Sequence, residues 1–167
     1  NDLPENFLLP ILIVQHIASG FVDGFIDWLN TTTKLKVKIA EEGEMPMPGF
    51  VYLAPDDYHL GILKTSRTIK LSKEGKENGL RPAVSYLFRS VSEAYSEQAI
   101  GILLTGMGKD GSEELGLMKN NGALTIAQDE ETSIVFGMPG EAVKIGAVNL
   151  VLDPKSIANK LIEIAKE

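Results

Sequence analysis

Along the 167 residues, apolar runs alternate with amphipathic segments, the arrangement of βα units laid over a parallel sheet. Ile11-Leu-Ile-Val-Gln15 is apolar and β-branched, which predicts a buried strand. Phe21, Phe25 and Trp28 recur near helical spacing, so a helix is expected over Gly20 to Asn30. Lys36 to Ala40 alternates as a short strand, and Phe50 to Ala54 forms another that ends at Pro55 and an Asp56-Asp57 turn. His59 to Lys64 and Arg67 to Lys73 alternate around a short polar connection, which predicts a hairpin at the sheet edge. Pro82 opens a helix to about Ser96, because proline suits a first helical turn. Ala99 to Leu104 is a further buried strand, followed by the glycine-rich run Thr105 to Gly111 and a helix that Asn121-Gly122 ends. Ala123 to Ala127 and Asn149 to Leu152 complete the strands, with a short helix over Phe136 to Ile145 between them. Asp153-Pro154 caps a terminal helix to Lys166. The pattern predicts one domain, a doubly wound three-layer α/β/α fold with a mostly parallel sheet and an antiparallel hairpin at its edge.

Composition narrows the chemistry. A formal net charge of −7, with no cluster of lysine or arginine, argues against a nucleic-acid partner. The chain has no cysteine, which excludes disulfides, thiolate nucleophiles and Cys-ligated metals. Its two histidines, His16 and His59, lie far apart and form no HExxH pair. No run approaches the roughly 20 apolar residues that span a bilayer, so membrane insertion is not expected. Asn1 to Phe7 holds two acids and a proline, unlike a signal peptide, and a cytoplasmic chain is expected.

In open parallel sheets, function collects beyond the carboxyl ends of the strands. His16 follows the first strand, and Asp110 follows the strand ending near Thr105. A histidine supported by a carboxylate is the base half of a Ser-His-Asp triad. Gly106, Gly108 and Gly111 let the loop turn tightly and expose backbone N–H groups, which are candidate oxyanion donors. Each residue also has a plainer role: a hydrogen-bonded structural histidine at His16, a helix N-cap at Asp110, a partly exposed sheet position at His59. The loop supports a rival as well. Gly106-x-Gly108-x-x-Gly111 is a literal GxGxxG between a strand and a helix, with Asp129 at the next strand's end, the context of a dinucleotide-binding fingerprint. Against it, Asp110 places a carboxylate where a pyrophosphate would approach.

Val14-Gln15-His16, Gly20-Phe21, Val51-Tyr-Leu-Ala-Pro55, His59, Arg81-Pro82, Leu104-Thr-Gly-Met-Gly-Lys-Asp-Gly111, Ala127-Gln-Asp-Glu130 and Val135-Phe-Gly-Met-Pro139 occur in order. Together they resemble the catalytic domain of the CheB chemotaxis methylesterases, over nearly the whole chain. The resemblance implies hydrolysis of γ-glutamyl methyl esters on the cytoplasmic helices of methyl-accepting chemoreceptors, with glutamine deamidation in some members. It implies no metal or organic cofactor. By motif, His16 resembles the general base, Asp110 the aspartate that orients it, and Met107 a position whose backbone helps hold the oxyanion. His59, Arg81 and Pro82 match recurrent positions near the site, with His59 and Arg81 as substrate-binding candidates. The family's first strand and its GxSxGG-type loop, which carries the nucleophilic serine, are expected before residue 1, as is an upstream response-regulator receiver domain. Ser19 and Ser133 are poor substitutes for that serine. Arg81-Pro-Ala-Val-Ser85 departs from the usual RPSVD-like run, and Gly140 stands where a basic residue often follows VFGMP. A non-catalytic receptor-binding or regulatory module is the second reading.

Overall fold

The computed structural model describes residues 2–166 and forms a three-layer α/β fold. The chain runs β1 (Ile11–Ile13), α1 (Val22–Thr32), β2 (Lys36–Ile39), β3 (Phe50–Leu53), β4 (His59–Ile62), β5 (Ile69–Ser72) and α2 (Val84–Tyr95). It continues through β6 (Ile100–Leu103), α3 (Ser112–Asn120), β7 (Leu124–Gln128), α4 (Met138–Lys144), β8 (Leu150–Leu152) and α5 (Pro154–Ile164). Two parallel sheets carry the fold, in the orders β1-β3-β2 and β6-β7-β8. β4 and β5 pair antiparallel as a two-stranded sheet of their own, with His59 opposite Ser72 and Ile62 opposite Ile69.

Helix α3 ends and helix α5 begins where the sequence predicts. Gly122, with φ of 89°, stops α3 after Asn120, and the Ala123 amide returns to the Met118 carbonyl. Asp153 caps α5 as expected, its side chain accepting from the Lys155 and Ser156 amides. The main core joins Tyr52, Leu60, Ile69, Leu87, Leu103, Leu115 and Met118, and a second cluster around Val22, Ile26, Val37 and Val51 seats α1 on the first sheet.

Three local expectations are corrected. α1 forms, but it buries Val22 and Ile26, while Phe21 and Trp28 of the aromatic series face solvent. Pro82 does not open α2. The next residue, Ala83, is still extended (φ −119°, ψ 139°) and serves as the N-cap, so helical backbone begins at Val84. His59 is fully buried rather than partly exposed, because all four residues of β4 are buried in the packing of the hairpin against α2.

Candidate active site

His16 and Asp110 are 94 residues apart in sequence, and the fold brings them together: His16 Nε2 lies 2.9 Å from Asp110 Oδ2. The histidine stands three residues past β1 and the aspartate in the loop after β6, so both sit at the carboxyl ends of parallel strands. The imidazole keeps 27% of its side-chain surface, whereas the carboxylate keeps 3%. An ionised carboxylate only accepts, so Nε2 carries the proton of this hydrogen bond. Nδ1 then holds the free lone pair of the neutral ring, and it has no hydrogen-bond partner among the described residues.

Asp110 is held by the start of another helix. The Val84 amide donates to Oδ2 at 2.7 Å, and the Ser85 amide donates to Oδ1 at 3.1 Å. The Ser85 hydroxyl donates to Oδ1 at 2.6 Å, and Asn78 Nδ2 reaches the same oxygen at 3.4 Å. These donors cap α2, so the reading of Asp110 as a cap of its own helix is corrected. The N-cap of α3 is Gly111, in the left-handed region, with no side-chain cap. Burial pushes the Asp110 carboxyl up, but the hydrogen bonds from His16, the Ser85 hydroxyl and the Val84 and Ser85 amides outweigh it and bring the pKa from 3.8 down to about 2.

A carboxyl whose folded pKa lies below its unfolded value stabilises the fold above the unfolded pKa, and the contribution is lost as pH falls through the folded one. Asp110 is thus expected to contribute roughly 2 kcal/mol at neutral pH, lost between about pH 4 and pH 2. Chemical denaturation at a series of acidic pH values, with Asp110→Asn as reference, tests this. Equal acid dependence in the two proteins would contradict it.

Next to Asp110, the Gly106–Gly108 loop is laced to the segment before α4. The Gly106 amide donates to the Val135 carbonyl, and the Gly137 and Met138 amides both donate to the Gly106 carbonyl. Gln128, buried at the end of β7, accepts the Thr105 amide at 2.8 Å and donates to the Thr132 carbonyl at 2.9 Å. Met107 projects its side chain into solvent (82% exposed), and its amide donates to no acceptor among the described residues.

The other candidates have partners of their own. His59 Nδ1 accepts the Ala83 amide at 3.3 Å, Nε2 donates to the Gly75 carbonyl at 3.1 Å, and the ring stacks on Tyr86. The fully buried ring presents no surface to a substrate. Arg81 donates to Asp57 and to the Lys73 and Glu74 carbonyls, so its guanidinium braces the hairpin while its stem lines a cleft of about 210 Å³ with His16, Ile17, Leu80 and Pro82. Ser19 donates to Asp56 and Ser133 to the Asp129 carbonyl, while the Asp129 carboxylate accepts from Thr132 in its own turn and the Asp129 amide donates to the Leu152 carbonyl. Sequence reasoning passed over Ser85, Asn78 and Gln128. Only the departure from an RPSVD-like run drew attention to Ser85.

A three-layer α/β protein with a histidine leaning on a buried carboxylate at the carboxyl ends of parallel strands is thereby defined as a class. Residues 1–161 match the model of the CheB methylesterase family, and the chain belongs to that family. It is 53% identical over 165 residues to protein-glutamate methylesterase/protein-glutamine glutaminase 1 of Syntrophus aciditrophicus (strain SB), covering 99% of this chain and 47% of the relative. The corresponding protein of Nitrosospira multiformis is 48% identical over 167 residues, covering 100% of this chain and 47% of the relative. The crystal structure of the Thermotoga maritima CheB methylesterase catalytic domain superimposes with a TM-score of 0.92 at 43% identity, over 97% of this chain and 87% of that one. The chain spans about half the length of the curated relatives it matches. With the family shown, the dinucleotide-binding reading of the glycine loop is set aside. Among the described residues, no helix is long and apolar enough to cross a membrane.

Proposed function

We propose that the chain is the larger part of a single catalytic domain of a protein-glutamate methylesterase, acting on glutamate γ-methyl esters, and on some glutamine side chains, by a Ser-His-Asp mechanism. The observation that carries this reading is the His16–Asp110 pair, with Nε2 committed to the carboxylate and Nδ1 free. Serine attacks the γ-carbonyl carbon. His16 Nδ1 takes the hydroxyl proton, and Asp110 stabilises the imidazolium that forms. The tetrahedral oxyanion sits against the free Met107 amide. His16 returns its proton to the leaving methoxide, releasing methanol and leaving an acyl-serine. Water, activated by the same nitrogen, then frees the glutamate.

The serine comes from sequence preceding Asn1, on a strand and GxSxGG-type loop. Two features support this. Ser19, Ser85 and Ser133 are each hydrogen-bonded to groups other than His16. β1 pairs only with β3 and β6 only with β7 among the described residues, which leaves each an edge for one more strand. The substrates are the cytoplasmic helices of methyl-accepting chemoreceptors, the enzyme works in the cytoplasm, and a receiver domain upstream regulates it. No cofactor enters the scheme.

Methanol release from a methylated receptor fragment tests the reading. A protein that includes the upstream serine is expected to turn over, and residues 1–167 alone to show little beyond background. Robust turnover by residues 1–167 would mean that the nucleophile is misplaced.

A further inference from the structure

We propose that Ser85 is a positioning residue whose buried hydroxyl fixes the orientation and the charge of the Asp110 carboxylate on which His16 leans. This rests on the reading of His16 and Asp110 as the base pair, and it adds a residue that the motif comparison treats as a departure.

The two oxygens of Asp110 have separate duties. Oδ2 meets His16 and the Val84 amide, whereas Oδ1 meets Ser85 twice, through its amide and its hydroxyl. The direction of the hydroxyl proton follows from its neighbours. Ser85 Oγ lies 3.0 Å from the Gly111 amide and 3.4 Å from Asn78 Nδ2, and both are donors. Its single proton can therefore go only to the carboxylate, which cannot donate in return. The result is a closed ring: the side chain of Asp110, the hydroxyl of Ser85, and the backbone of Gly111, the next residue along the chain. Such a ring holds the Asp110 side chain from both ends and leaves Oδ2 aimed at His16.

Ser85 is buried at 2% exposure, at the wall of a polar cleft of about 200 Å³ that Asn78, Lys109 and Glu113 also line, and a water entering from that cleft would lack the fixed direction that the serine backbone gives the hydroxyl. Asn78 alone cannot replace the hydroxyl, since its contact with Oδ1 is the longest of the set. The same geometry excludes Ser85 as the nucleophile, since its proton points to Asp110 rather than to His16.

The test uses residues 1–167 and needs no esterase activity, so it stands apart from the serine question. Carbon NMR of the Asp110 carboxyl is followed from neutral to acidic pH, together with the His16 ring nitrogens. Ser85→Ala is expected to raise the Asp110 midpoint by about one unit or more, since hydrogen bonds to the charged form favour it. The wild type should still be ionised near pH 3 where the variant is partly protonated. The Nε2 proton of His16 should exchange faster in the variant. Ser85→Thr, which keeps the hydroxyl, should restore both signals. If Ser85→Ala does not fold, Ser85→Cys, close in shape but a weak donor, replaces it with the same expectation. An unchanged Asp110 midpoint in the folded variant, or an equal shift in Ser85→Thr, would overturn the proposal.

Discussion

Asp110→Asn, in a protein extended to carry the proposed upstream serine, is expected to lower kcat by roughly 10⁴-fold, the loss that the comparable change causes in a serine protease. The structure gives the reason in atoms. If the asparagine oxygen faces His16 and Val84, its amide nitrogen points at the Ser85 amide and hydroxyl, setting donors against donors. If it flips, the nitrogen faces His16 Nε2, and the ring must move its proton to Nδ1 to accept. That tautomer has no lone pair where the base is needed. Either way the negative charge that stabilises imidazolium is gone.

The stability of this variant follows from where the cap lies. Asparagine caps a helix about as well as aspartate when one oxygen does the work. Asp110 instead uses both oxygens, on the first turn of α2 rather than on its own helix. A loss of about 1–3 kcal/mol is therefore expected, since one buried donor is left without an acceptor. Kinetics should be measured well below the melting temperature, with folding verified by circular dichroism. His16→Gln should be as damaging, and the double variant little worse than either single one, because these residues act as a unit. Activity within a few-fold of wild type in folded Asp110→Asn would reduce the aspartate to a structural cap.

Much of this arrangement was legible in the sequence. Apolar runs of four or five residues marked the parallel strands, and the rule that chemistry gathers at their carboxyl ends singled out His16 and Asp110. Their mutual distance was not legible from spacing, since nothing local links residues 94 apart. Local rules also misled. N-cap preference assigned Asp110 to α3, the helix that follows it in sequence, yet Gly111, with φ of 80°, turns the chain so that the carboxylate meets α2. Alternation suggested a partly exposed His59, but β4 is buried on both faces, and the His59 face packs on Tyr86 of α2. A partner such as Ser85 carries no signal of its own type. Serine in a first helical turn is ordinary, and only the long-range contact gives it a role.

Gly137→Ala is expected to lower kcat by roughly 10²–10³-fold, the effect of losing one oxyanion donor. Gly137 has φ of −86°, which any residue adopts, so the effect is one of space alone. A Cβ there would lie 2.6 Å from the Gly106 carbonyl oxygen, 3.0 Å from the Gly108 nitrogen and 3.1 Å from the Met107 Cα. All three are backbone atoms, and none can rotate away. The Gly106–Gly108 loop must therefore shift, weakening the hydrogen bonds from the Gly137 and Met138 amides that hold the Gly106 carbonyl. A stability cost of about 1–3 kcal/mol should accompany the shift, as for other overpacked sites. The His16–Asp110 pair does not touch Gly137, so the His16 ring signals should stay as in the wild type, separating this loss from that of Asp110→Asn. Gly24→Ala provides the control: a Cβ there meets nothing within 4 Å. In the first turn of α1 it should stabilise the protein by up to about 1 kcal/mol and leave turnover unchanged. Undiminished turnover in folded Gly137→Ala would remove the Met107 amide from the oxyanion role.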